Sequence, residues 1–131
     1  VPYAFALTLV LAALAVFQLA LAAGAPLGRL AWGGQHRVLP PRLRVGSLVS
    51  LAVYAFVALV AWARVGAIDV LPDAFAQVAM WVVFAYFCLG IGLNAISRSR
   101  PERLTMVPVC MVLSVLSLLI ALGVGAQAAP V

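Results

Sequence analysis

Four long apolar runs constrain this chain more than any other feature. They occupy residues 3–23, 45–65, 74–96 and 104–125, and Arg64 is the single charged residue inside them. A helix rises about 1.5 Å per residue, so each run reaches roughly 31 Å or more, the thickness of a bilayer's hydrocarbon core. A soluble domain of 131 residues could not hide a composition that is 67% hydrophobic, because small domains leave a large share of their surface in water. Only 8% of residues are charged, against about a quarter in soluble domains. The reading is all-α: a four-transmembrane-helix up-down bundle, forming one integral membrane domain over residues 1–131.

The first run has a competing reading as a signal peptide, since Ala20-Leu21-Ala22 resembles a cleavage site. Its length and the lack of preceding basic residues favour a retained helix. Ala4, Thr8, Ala12, Ala15, Gln18 and Ala22 share one side of it, a spacing that lets helices approach closely in lipid. Ser47, Ser50, Tyr54, Ala58 and Ala61 form a similar stripe on the second span, with Trp62 and Arg64 marking its far interface. Gly90 and Gly92 permit close packing of the third. Cys110, Ser114, Ser117 and Ala121 line one side of the fourth, whose Pro108 is expected in or just beyond the first turn. Asp73 is the expected N-cap of the third helix, and Pro101 is expected between the third and fourth.

The segment 24–44 is the one long stretch that is not continuously apolar. It holds four of the eight arginines, the only histidine, four of the ten glycines and three of the eight prolines. Those glycines and prolines forbid a long regular helix. Leu27, Leu30, Ala31, Trp32, Val38 and Leu39 make it too apolar to float free in water. It is expected to lie on the bilayer surface or tuck against the bundle, with Trp32 as an interfacial anchor.

Four spans put the loop at 24–44 and the turn at 97–103 on one side. Together they hold seven of the eight arginines, while Asp69 and Asp73 flank the opposite side. The positive-inside rule then places both basic loops in the cytoplasm and both termini outside, in a bacterial inner membrane. The charge of +5 is explained by anionic headgroups rather than by nucleic acid. No repeat supports an inverted-repeat transporter.

Two loop signatures carry a resemblance. Gly24-Ala25-Pro26-Leu27-Gly28, Trp32-Gly33-Gly34, Val38-Leu39-Pro40 and Leu43-Arg44 form the first. Asn94, then Ser97-Arg98-Ser99-Arg100-Pro101-Glu102-Arg103 and Pro108, form the second. With these the chain resembles an uncharacterised family of small bacterial four-helix integral membrane proteins. The resemblance implies four membrane helices and transfers no catalytic or binding residue.

The glycine-rich loop is not a phosphate cradle. It lacks the Gly-Lys-Ser/Thr ending, and no strand precedes it. His36 is the only histidine, so one chain cannot clamp a haem between two; it reads as a surface residue. Cys88 and Cys110, with Met106 and Met111 nearby, could suit a soft metal. They read instead as small buried hydrophobes, and neither a metal nor a cofactor is expected. Asp69, Asp73 and Glu102 sit at span ends, which weighs against proton-coupled transport.

Counted along the spans, Gln18, Ser47, Ser50, Cys88, Asn94 and Cys110 fall in the half nearest the basic loops. Thr8, Tyr54, Gln77, Ser114 and Ser117 fall in the other. The bland explanation is helix-to-helix hydrogen bonding. The sharper one is a polar cavity opening to the cytoplasm, rimmed by Arg37, Arg98, Arg100 and Arg103, whose guanidinium forks suit an anionic headgroup. The expected ligand-binding set is therefore Gln18, Asn94, Arg37, Arg98, Arg100 and Arg103. The expected function is that of a small binding or accessory protein. It would hold a lipid-like ligand, or pack within a larger membrane complex or homo-oligomer. The alternatives are a small-solute transporter or channel built by homo-oligomerisation, and a membrane enzyme acting on a lipid.

Overall fold

The structure, a computed structural model, describes residues 2–124. Helix α1 spans Pro2–Ala22, α2 Pro41–Arg64, α3 Asp73–Ala95 and α4 Arg100–Ala121. Each is long and apolar enough to cross a membrane. Short 3-10 turns at Gly28–Leu30 and Trp32–Gly34 interrupt the α1–α2 loop. The expected tail at 127–131 lies outside the described residues, as does Gly125 at the end of the fourth expected span.

The helices run up and down in a square. Helices α1 and α3 each pack on both α2 and α4. Leu7 and Leu11 of α1, Val60 of α2, Met80 of α3 and Leu113 and Ile120 of α4 meet in the shared core. The outward faces stay apolar as well; Val16, Val78, Val82 and Leu104 are more than 60% exposed. An apolar interior inside an apolar exterior is what lipid as a solvent permits.

The helix ends follow from local sequence. After α1, Gly24 takes φ +96°, a conformation that favours glycine because it has no Cβ. Its N–H bonds the Leu21 carbonyl at 3.1 Å, and the Ala25 N–H bonds that of Ala20 at 2.9 Å. This is the Schellman pattern, which satisfies carbonyls orphaned at a helix end. The same paired bonds close α2 at Gly66 and Ala67, and α4 at Gly123 and Val124.

Helix starts depart from the hydropathy reading. Helix α2 begins at Pro41, four residues before the expected 45. Proline tolerates the first helical position because that N–H has no partner anyway. Helix α4 begins at Arg100, not 104, because Ser99 caps it, accepting the Glu102 N–H at 3.4 Å. Pro101 therefore lies inside the first turn of α4, and Pro108 lies two turns in. Asp73 is the first residue of α3 rather than its cap, which is Pro72.

Small-residue stripes predict packing unevenly. Ser114, Ser117 and Ala121 are buried as the stripe on α4 requires. On α1 the buried face is Ala4, Leu7, Leu11 and Leu21, while Ala12 is exposed. Gly90 approaches the Cys110 Sγ, but Gly92 faces open space.

Candidate functional site: a chamber beneath the basic loop

Two hydrogen bonds set the register of α1 against α2. Gln18 Nε2 lies 3.2 Å from the Tyr54 hydroxyl, and Trp62 Nε1 donates to Thr8 Oγ1 at 2.9 Å. In an antiparallel pair, facing residue numbers have a nearly constant sum, here 72 and 70. The end of α1 at Ala22 is then level with about residue 49 of α2, so the first two turns of α2 rise roughly 12 Å past it. Tyr54 is consequently level with Gln18, not in the opposite half as counting along the spans suggested. The cause is the axial offset of α2, which extends past the end of α1 and so sets Tyr54 beside Gln18. Trp62 likewise turns toward the core contact with Thr8 rather than standing as a free interfacial marker.

The α1–α2 loop fills the step left by this offset. It tucks onto the bundle rather than lying apart from it. Gly28 donates to the Arg37 carbonyl at 2.8 Å. A Cβ on Gly28 would stand 1.7 Å from the His36 carbonyl oxygen, so only glycine permits this closure. Arg44 Nε donates to the Leu39 carbonyl at 2.8 Å, drawing the loop's end onto the start of α2. Leu21, Ala31 and Leu39 form a small core of their own beneath it.

Trp32 latches the loop to α2. Its backbone takes φ +53°, a region that costs a bulky residue of order 1–3 kcal/mol unless contacts hold it there. The indole Nε1 donates to Ser47 Oγ at 3.4 Å, and the ring lies against Gly46. Ser47 is fully buried. On the other side, the Ser99 hydroxyl donates to the Arg29 carbonyl, tying the loop to the α3–α4 turn.

Beneath this cap lies a chamber of about 310 Å³ among the four helices. Its polar wall includes Gln18, Ser50, Tyr54, Asn94, Glu102 and Cys110. Asn94 Nδ2 donates to the Gly90 carbonyl at 2.8 Å and lies 3.5 Å from Cys110 Sγ. Glu102 is 7% exposed, and its Oε2 accepts the Ser97 hydroxyl at 2.9 Å. Ser97 in turn accepts the Ser99 N–H at 3.1 Å, so it relays the usual capping contact between residues 99 and 102. Tyr86, Leu89 and Leu93 of the wall are also exposed on the outer face of α3, so the chamber reaches the apolar outer surface of the bundle there. An apolar void of about 210 Å³ adjoins it between α1 and α4, sharing Leu14, Phe17, Leu30, Met106 and Val109 with it.

Of the expected site residues, Gln18 and Asn94 meet in this wall. No arginine lines it. Arg37, Arg98 and Arg100 are exposed around the same end, and Arg103 Nη1 donates to the Ser97 carbonyl at 2.7 Å. Glu102, Tyr54, Tyr86 and Trp32 were not foreseen as site residues. Glu102 was legible in principle, since Ser99-Arg100-Pro101-Glu102 is a capping-box pattern that starts α4 early and turns its first carboxylate inward. Cys110 borders the chamber, while Cys88 lies exposed on α3; both are free thiols. Among the described residues no group of three or more potential metal ligands gathers.

The chain matches no protein-family model, no curated protein and no solved structure. Fold and site define its class: a four-helix bundle of membrane-spanning dimensions with a loop-capped, laterally open chamber at its basic end, mostly apolar but carrying a patch of polar side chains.

Proposed function

We propose that the chain is a multi-pass protein of a bacterial inner membrane that holds a lipid-like amphiphile in this chamber. The basic end faces the cytoplasm and both termini face outside. It works as a binding or accessory protein beside partner subunits, not as an enzyme. The observation that carries this reading is the chamber itself. A mainly apolar space with one polar patch, lying under a folded cap, opens sideways between helices whose outer faces are apolar. That combination suits a molecule with a polar head and an apolar tail. Its volume falls at the lower end of the range for small-molecule sites, about 300–1,000 Å³. Arg37, Arg98, Arg100 and Arg103 lie outside the chamber and suit the phosphate layer of the surrounding bilayer.

Native mass spectrometry of the protein extracted in mild detergent tests this directly. The expected spectrum shows a bound amphiphile that survives detergent removal and is lost from a chamber-filling variant, Cys110→Phe. A folded wild-type protein that emerges bare from every mild detergent overturns the reading.

A further inference from the structure

We infer that the chamber selects an alkylammonium headgroup, its apolar chain lying in the void between α1 and α4. This rests on the amphiphile-binding reading and adds the chemistry of the head. Three independent features of the wall point to a cation.

The first is charge. Glu102 is the only charged side chain in the wall, and it is 93% buried. Among the described residues no arginine nitrogen comes within the 4.0 Å of an ion pair with it. Its neighbour Arg103 donates instead to the carbonyl of Ser97, whose hydroxyl binds Glu102. Ser97 occupies Oε2, and among the described residues nothing donates to Oε1. Oε1 is not sealed off, so it is open to a donor entering the chamber, and an ammonium paired with a largely buried carboxylate makes a strong charge-assisted hydrogen bond.

The second is the hydrogen-bond inventory. Asn94 spends its NH2 on the Gly90 carbonyl, a contact that fixes which end of the amide is nitrogen. Its Oδ1 therefore presents an acceptor, as Glu102 does. The Gln18–Tyr54 pair can present either sense, because a hydroxyl partner does not fix the amide. Gln18 keeps one buried amide atom, its oxygen as placed, without any partner. The atoms of fixed sense are thus acceptors, which match N–H donors and not phosphate or carboxylate oxygens.

The third is aromatic. Phe17, Trp32, Tyr54, Tyr86 and Phe87 all border the chamber. Ring faces carry negative potential, and several around one space attract ammonium groups. The tail follows from the adjoining void, whose lining is wholly apolar at its surface and which merges with the chamber at Phe17 and Met106.

The test uses the full chain carrying Cys88→Ser, which leaves Cys110 as the sole thiol. Dodecylamine, dodecanol and dodecanoate are compared at equal chain length in a nonionic detergent. Each is scored by the rate of N-ethylmaleimide alkylation of Cys110 and by the thermal midpoint. Dodecylamine is expected to protect at about tenfold lower concentration than the other two, the order expected for a hydrogen bond to a charged group. Glu102→Gln is expected to erase that difference. Vesicles of phosphatidylethanolamine and of phosphatidylglycerol then separate two sources. Protection by the first assigns the head to a membrane lipid; protection by dodecylamine alone assigns it to a free cationic amphiphile. Equal protection by the three chains, or strongest protection by dodecanoate, overturns the ammonium inference while leaving an amphiphile site. No effect from any of them overturns the underlying reading too. Should Glu102→Gln fail to fold, the wild-type ranking still decides.

Discussion

The Ser99 hydroxyl donates to the backbone carbonyl of Arg29, across 70 residues of chain. The same oxygen accepts the Glu102 N–H that starts α4. One side chain thus caps a helix and pins the loop that roofs the chamber. Ser99→Ala removes both roles. Loss of an N-cap costs typically about 1 kcal/mol, and the loop contact adds to it. A lowered thermal midpoint in detergent, together with faster trypsin cleavage at Arg29 or Arg37, is the expected result. An unchanged midpoint and an uncut loop would show that the hydroxyl holds neither.

Gly46 governs the latch. A Cβ there would stand 2.8 Å from the Trp32 ring, so Gly46→Ala displaces the indole. The variant also gains helix propensity, up to about 1 kcal/mol relative to glycine. Stability should therefore change little while the roof opens. Trp32 emission, read in a Trp62→Phe, Trp81→Phe background, should shift, and Cys110 should be alkylated faster. A wild-type emission spectrum would mean the ring does not need that close approach.

Trp62 and Thr8 are coupled through a bond of 2.9 Å inside the bundle. Interhelical hydrogen bonds in membranes average about 0.6 kcal/mol. A double-mutant cycle with Trp62→Phe and Thr8→Val should return a coupling of that order, read from detergent unfolding. A coupling near zero would remove this bond from the forces that set the α1–α2 register.

Orientation has its own test. A cysteine placed by Arg98→Cys in a chain lacking Cys88 and Cys110 should stay unlabelled by an impermeant maleimide added outside intact cells. It should react once the cells are opened. Labelling from outside would reverse the proposed topology.

Hydropathy reads only what a residue is, and for the four spans that was enough. Lipid demands about 20 apolar residues per crossing whatever the neighbours are, so the helices and their up-down order were legible in advance. The clustering of arginines at one end was equally a matter of counting. Rotation and register were not. A helix that is apolar all round gives little sign of which face it buries: of the α1 stripe, Ala4 is buried and Thr8 and Gln18 meet α2, but Ala12 is exposed and Leu7, Leu11 and Leu21 share the core. Depth counted from the ends of apolar runs put Tyr54 and Gln18 in opposite halves. The proline start of α2 and the serine cap of α4 moved those ends by about one turn. Only the packed bundle decided that Gln18, Tyr54, Asn94 and Glu102 share one wall and that the arginines stand outside it. Those meetings depend on contacts between helices distant in the chain, and no local pattern encodes them.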